Sequence, residues 1–146
     1  MSGILHVASR EKFIPPFIDF VAEYFDTRAH HLIVIGFDKR YPIQAANYIS
    51  QDTGGLVTRI KLYLELIWRM HSSEKVILHG LFRDYINLVL LIMPWLRKKC
   101  YWALWGGDLY QYQKPRTTLK AKFYEWVRRR VIKNMGVIGT SIRGDY

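Results

Sequence analysis

Hydrophobic residues occur in short runs and in helically spaced sets, with polar or glycine-rich turns between them. The apolar runs predict strands at residues 4–8, 31–36, 75–78, 100–105 and 136–140, with 45–49 as a candidate short strand before a turn at 51–55. The helical spacing predicts helices from Phe13–Pro16 to about residue 25, over 56–70, over 81–96, and from Thr117 or Thr118 to about residue 133. This alternation predicts an α/β class: a Rossmann-like parallel sheet with right-handed crossovers and helices on both faces.

Two of these helices have an apolar stripe that we expect to face the core. In the helix over 56–70 it is Leu56, Ile60, Leu64, Ile67 and Trp68. In the last helix it is Leu119, Phe123, Trp126, Val127 and Val131.

The chain length of 146 residues fits a single Rossmann-like domain over 1–146. The single cysteine, Cys100, lies in a predicted strand and is expected to be an inert core residue. No signal peptide is recognisable, and the most apolar stretch, residues 85–96, is too short to span a bilayer. We therefore expect a soluble or peripheral protein.

Positive charge is concentrated in the second half of the chain. The formal net charge is +10, and residues 97–133 contain eleven Lys and Arg against two acids. The partner of this segment is therefore expected to be anionic.

The basic segment has three interpretations. Lys122, Arg128, Arg129 and Lys133 lie away from the predicted stripe and suit an anionic lipid or diphosphate headgroup. Nucleic-acid binding is disfavoured because it needs exposed aromatic residues, whereas Phe123 and Trp126 are assigned to the core stripe. The third interpretation is an ordinary solvated helix face.

Three predicted strands end in polar residues beside glycines: His79-Gly80, Gly106-Gly107-Asp108 after Trp105, and the segment from Thr140 to Arg143-Gly144-Asp145. The carboxyl ends of parallel strands lie at one edge of a sheet, where ligands bind. We therefore expect these segments to meet in one crevice.

The residue types in these segments suit sugar and phosphate chemistry. An aspartate or a histidine can accept a hydroxyl proton, and arginine and exposed glycine amides bind phosphate oxygens. Structural roles stay open: Asp108 as a turn cap, His79 as a buried structural histidine, and Arg143 paired with Asp145. The histidines lack metal-ligand spacing, and no nucleotide-binding glycine loop is present, so no metal or cofactor is expected.

Three segments, His79-Gly80-Leu81-Phe82, Trp105-Gly106-Gly107-Asp108-Leu109-Tyr110 and Arg143-Gly144-Asp145, resemble those of glycosyltransferase family 56. The members of that family are the bacterial 4-acetamido-4,6-dideoxygalactose (Fuc4NAc) transferases of enterobacterial common antigen synthesis. The resemblance implies the N-terminal, acceptor-side half of a GT-B enzyme. Its nucleotide-sugar half is expected after residue 146, so residues 1–146 alone are expected to be inactive.

The resemblance further implies a dTDP-activated Fuc4NAc donor and an undecaprenyl-diphosphate-linked oligosaccharide acceptor, with no metal. It implies Asp108 as the proton acceptor, with His79 as its competitor, and Arg143 as a ligand of the acceptor's charge. The remaining substrate-binding candidates are Gly80, Trp105, Gly106, Gly107 and Asp145. Such an enzyme is expected to be peripheral at the cytoplasmic face of the bacterial inner membrane.

Two other functions remain compatible with the residues. One is a non-catalytic α/β module that binds an anionic glycolipid or polyanion through residues 97–133. The other is a small hydrolase that uses His79 and Asp108.

Overall fold

The computed structural model describes residues 3–81, 83–104 and 113–139. The strands are β1 (Ile4–Ser9), β2 (His30–Ile35), β3 (Ile49–Gln51), β4 (Lys75–His79), β5 (Cys100–Ala103) and β6 (Val137–Gly139). The α-helices are α1 (Ile14–Tyr24), α2 (Leu56–Ser72), α3 (Asp84–Ile92) and α4 (Leu119–Ile132), and two 3₁₀ helices are η1 (Thr27–Ala29) and η2 (Pro94–Lys99). The predicted α/β, Rossmann-like class is confirmed.

The chain divides into two compact units between Ile77 and Leu78, within β4. The first unit has the strand order β3-β2-β1-β4, to which β4 contributes residues 75–77. Strands β1 and β2 are parallel, with Ile4 opposite His30 and Ser9 opposite Ile35. Strand β3 is parallel to β2, with Leu32 opposite Ile49. The assignment of residues 1–146 to a single domain stays a prediction.

Helices cover both faces of the sheet in this first unit. On one face, Ile14 and Ile18 of α1 pack with Ala8, Leu32 and Val34. Side chains alternate along a strand, so His31 and Ile33 point the other way. On that side, Glu65 of α2 contacts His31. The strands are thus covered on both sides, as their almost continuous apolar sequences predict.

The second unit has the strand order β4-β5-β6. Strands β5 and β6 are parallel, with Tyr101 opposite Val137 and Ala103 opposite Gly139. Helix α3 packs against α4. The predicted single helix over 81–96 is wrong, because α3 ends at Ile92 and Pro94, which has no backbone N–H to continue the helix, begins η2. Cys100 is fully buried, and burial raises its pKa to about 12, so the thiol is inert as predicted.

Two other predictions in the first unit need correction. The short strand lies at Ile49–Gln51 and not at 45–49. Helix α2 buries Leu62, Leu66 and Met70, while four members of its predicted core stripe, Leu56, Ile60, Leu64 and Trp68, are exposed. Both sets repeat at helical spacing, so periodicity alone does not decide which one faces the sheet.

Candidate functional site

The carboxyl ends of β4, β5 and β6 lie side by side in the second unit. The Gly80 N–H, directly after β4, donates to the Ala103 carbonyl oxygen at 3.3 Å. The Leu104 N–H, directly after β5, donates to the Gly139 carbonyl oxygen at 2.8 Å. The three polar segments therefore begin next to one another, at one edge of the sheet.

His79 is the one candidate catalytic residue among the described residues. It ends β4 and is 9% exposed. Burial disfavours the charged imidazolium and lowers the pKa of His79 to about 4. At neutral pH the ring is therefore neutral. It is a weak base and suits hydrogen bonding to a hydroxyl better than taking its proton.

Gly80 differs from its predicted role as an exposed amide. It is buried, and its N–H is used in the hydrogen bond to Ala103. Its φ of 86° lies in the left-handed region that favours glycine. Gly80 thus turns the chain out of β4, and the expectation of a free phosphate-binding amide here is wrong.

The remaining catalytic and substrate-binding candidates lie outside the described residues: Trp105, Gly106, Gly107, Asp108, Arg143 and Asp145. The strand ends that precede them are placed together, and their own roles stay predictions.

The first unit has a second polar edge, at the carboxyl ends of β1, β2 and β3. Arg10, directly after β1, donates from Nε to the Gly36 carbonyl at 3.0 Å and from Nη1 to the Tyr41 carbonyl at 3.1 Å. Its Nη2 donates to Gln51 Oε1 at 2.6 Å. Arg10 thus ties the ends of these strands together. Burial lowers its pKa, against the opposing attraction of Asp52.

Asp52 anchors the same edge to the start of α2. It is 1% exposed, and its carboxylate accepts from the Gly54 N–H at 2.9 Å and from Arg59 Nε at 3.2 Å. A cavity of about 310 Å³ lies beside it, lined by Arg10, Phe37, Asp38, Lys39, Pro42, Ile43, Gln51, Asp52 and Thr53. This edge was not predicted from the sequence, although Arg10 and Gly36 follow β1 and β2 as polar and glycine residues at strand ends.

A cavity of about 330 Å³ lies at the amino ends of β1 and β2, lined in part by His30, His31 and Arg69. Glu65 accepts from Ser50 Oγ at 2.8 Å and from Nε of the lining residue Arg69 at 2.6 Å. His31 Nε2 faces both Ser50 Oγ, at 3.0 Å, and Glu65, at 3.4 Å. One ring nitrogen serves both partners, so this is not the serine–histidine–carboxylate relay of hydrolases.

The family model described as 4-alpha-L-fucosyltransferase glycosyl transferase group 56 matches residues 17–146. The chain belongs to this family. The match confirms the family suggested by the three segments after β4, β5 and β6. In general terms, a glycosyltransferase of this family takes a sugar donor and an acceptor. No solved structure matches the chain.

In this family 56 chain, the predicted core stripe of α4 is confirmed only in part. Val127 and Val131 are buried as predicted, whereas Leu119, Phe123 and Trp126 are exposed. The other buried residues of the helix are Glu125 and Arg128. Arg128, predicted to lie on the anion-binding surface, is 4% exposed and approaches Glu125 at 3.4 Å. The buried face therefore contains an ion pair that apolar periodicity does not reveal.

The opposite face of α4 mixes apolar and cationic side chains. Its side chains lie within an arc of about 120° around the helix axis, given 3.6 residues per turn. We call it the basic–aromatic face, and its members are Leu119, Lys122, Phe123, Trp126, Arg129, Arg130 and Lys133. The sequence-based reason for disfavouring nucleic acid is therefore wrong, because Phe123 and Trp126 are exposed among positive charges.

Within the described ranges, no three His, Cys, Asp or Glu side chains are grouped so that they could hold a metal ion. Of the described helices, none combines the length and apolarity needed to cross a bilayer.

Proposed function

We propose that this chain is the acceptor-side domain of an enzyme that transfers Fuc4NAc from a dTDP-sugar to an undecaprenyl-diphosphate-linked oligosaccharide in bacterial surface polysaccharide synthesis. Membership of the fucosyltransferase group 56 family supports sugar transfer. The donor, the acceptor and the GT-B arrangement with a further nucleotide-sugar domain rest on the resemblance of the three polar segments.

The observation that carries this proposal is the alignment of the ends of β4, β5 and β6. The Gly80–Ala103 and Leu104–Gly139 hydrogen bonds bring together the points from which the segments with His79, Asp108 and Arg143 depart. This is the edge at which parallel α/β sheets bind ligands.

In the proposed reaction, an acceptor hydroxyl oxygen attacks the anomeric carbon of the donor sugar. The bond from that carbon to the nucleotide diphosphate breaks, and Asp108 takes the hydroxyl proton. His79, which is neutral at pH 7, orients the hydroxyl through a hydrogen bond. Arg143 and the amides of Gly106 and Gly107 bind phosphate oxygens. Trp105 and Asp145 contact the acceptor.

The proposed location is the cytoplasmic face of the bacterial inner membrane, with peripheral attachment. A polyprenyl diphosphate lies in the membrane and is anionic. The net positive charge between residues 97 and 133, eleven basic residues against two acids, is complementary to an anionic membrane surface.

The test is a transfer assay on a full-length protein that contains this chain. It offers dTDP-Fuc4NAc and a panel of other dTDP- and UDP-sugars, with a polyprenyl-diphosphate-linked acceptor. We expect turnover with dTDP-Fuc4NAc. Asp108→Asn is expected to lower kcat by about 10²- to 10⁴-fold, because it removes the base while keeping the shape.

Asp19→Asn is the matched control, since it removes an exposed carboxylate from α1. Circular dichroism checks that both variants fold. Full activity of Asp108→Asn, together with a large loss in His79→Gln, would assign the proton transfer to His79. An enzyme that uses only other donor sugars would refute the Fuc4NAc assignment.

A further inference from the structure

The basic–aromatic face of α4 presents large apolar side chains to solvent. Leu119 is 86% exposed, Phe123 49% and Trp126 55%. The rings of Phe123 and Trp126 stack on each other, with centroids 6.1 Å apart and planes inclined by 27°. Together these side chains form one apolar ridge along the first two turns of the helix.

Cations lie along one side of this ridge and beyond its C-terminal end. Lys122, Arg130 and Lys133 form no ion pair with an acid in the described ranges. Arg129 pairs with Glu125 at 2.9 Å, but that carboxylate is shared with Arg116, at 3.3 Å, and Arg128. One carboxylate near three guanidinium groups leaves the surface strongly positive.

We infer that the basic–aromatic face is the surface by which the protein binds an anionic lipid bilayer. The apolar ridge enters the headgroup–acyl boundary, and the flanking Lys and Arg side chains contact lipid phosphates. The helix lies in the plane of the surface. This inference rests on the proposed function in one respect: the proposed lipid-linked acceptor is the reason for the protein to be at a membrane.

A lipid surface fits this face better than a nucleic acid. Bases bind to open aromatic faces, and Phe123 and Trp126 each turn one face towards the other, which leaves less ring surface for a base. Leu119, the most exposed of the three apolar side chains, offers no ring for stacking. An aliphatic group beside aromatic residues and cations is typical of interfacial helices.

The test measures co-sedimentation of the full-length protein with vesicles of phosphatidylcholine alone or with 30% phosphatidylglycerol. We expect binding only to the anionic vesicles, weakened by added salt. Trp126→Ala is expected to lower vesicle affinity by about tenfold or more. Arg130→Gln combined with Lys133→Gln is expected to lower it by about 25-fold, at roughly fivefold per cation.

Trp68→Ala is the matched control. Trp68 is 53% exposed on the apolar ridge of α2, beside Leu64. This variant should bind vesicles like the wild type. Binding that survives the α4 changes, or that is lost in Trp68→Ala instead, would overturn the inference. Displacement of the vesicles by a single-stranded oligonucleotide would also overturn it, in favour of nucleic acid.

A water-soluble acceptor with a short lipid chain separates the two proposals. The α4 variants should transfer sugar to it at the wild-type rate while failing to bind vesicles. Loss of that transfer with vesicle binding intact would overturn the inference by placing α4 in the acceptor site. Wild-type protein that binds vesicles but transfers no sugar would refute the proposed function alone.

Discussion

Gly136 lies directly before β6, where the backbone passes close to η2. Its N–H donates to the Arg97 carbonyl at 3.0 Å. A Cβ at this position would lie 2.7 Å from the Lys98 carbonyl oxygen and 2.8 Å from that of Arg97. Both contacts are with main-chain atoms, so a side chain could not be accommodated by a simple rotamer change.

We therefore predict that Gly136→Ala lowers the free energy of unfolding by about 2 kcal/mol, because the strand must move away from η2. Urea unfolding followed by circular dichroism measures this. Gly139→Ala is the control, since its Cβ would lie 3.9 Å from the Trp102 carbonyl oxygen, an ordinary contact. Equal stability of the two variants would contradict the close approach.

At the same scale, the burial of two charged residues in α4 cannot be predicted from the local sequence pattern. Glu125 is 8% exposed and Arg128 4%. A charged residue is rarely buried unless it is paired, and the partners come from both α4 and the preceding segment. The pairing of Arg116 with Glu125 depends on the path of the chain and not on helical spacing.

At the scale of elements, the sequence offers both Thr117 and Thr118 as the N-cap of α4. The Thr118 hydroxyl oxygen accepts from the Ala121 N–H at 3.1 Å, and the backbone of Thr118 is extended, as at an N-cap. One of the otherwise unpaired amides in the first turn is thus satisfied.

Replacing Thr118 by Ala should destabilise the protein by about 1 kcal/mol, since this hydrogen bond is lost. Thr117→Ala differs from it by one position and should change stability by less than about 0.5 kcal/mol. Thermal unfolding of the two variants under identical conditions makes the comparison. A larger effect at Thr117 would show that the helix begins one residue earlier.

The strands were predicted better than the helix faces. Strands β1, β2 and β4 lie within one residue of their predicted bounds, since buried parallel strands have almost unbroken apolar sequences. In α2 and α4, apolar residues are spread over more than half of the circumference of the helix. The face that packs is then selected by the neighbouring elements.

At the scale of the whole molecule, each unit contains a histidine that is neutral at physiological pH. Burial lowers the pKa of His31 to about 4, with a further contribution from Arg69 and against the attraction of Glu65. Burial alone lowers that of His79 to about 4. In the unfolded chain both pKa values return to about 6.5, so between about pH 6.5 and 4 the unfolded state binds more protons.

Stability is therefore expected to be unaffected by these groups above about pH 7 and to fall as the pH drops from about 6.5 towards 4. Each group contributes up to about 3 kcal/mol at the acidic end. Urea unfolding at pH 7.5, 6.0 and 5.0 measures the slope. It should become shallower in His31→Gln and in His79→Gln. If neither variant changes the slope, the histidines are not the cause.

The candidate site was only partly predictable. Glycine and polar residues after apolar runs were enough to draw attention to the ends of β4, β5 and β6, whose described residues are hydrogen-bonded neighbours. Arg10 after β1 also follows this rule, but it was not predicted as a site residue. Its importance depends on Gly36, Tyr41 and Gln51, which are distant in sequence and contact it only after the strands pair.

The order of strands and helices, the parallel class and the family follow from local information, because apolar runs, turns and motif residues are contiguous in the chain. Three features do not follow from local information: the orientation of α2 and α4, the burial of Glu125 with Arg128, and the hydrogen bond that the Gly80 N–H donates. Each depends on atoms that folding brings from remote segments, and packing then selects among faces that the local pattern leaves nearly equivalent.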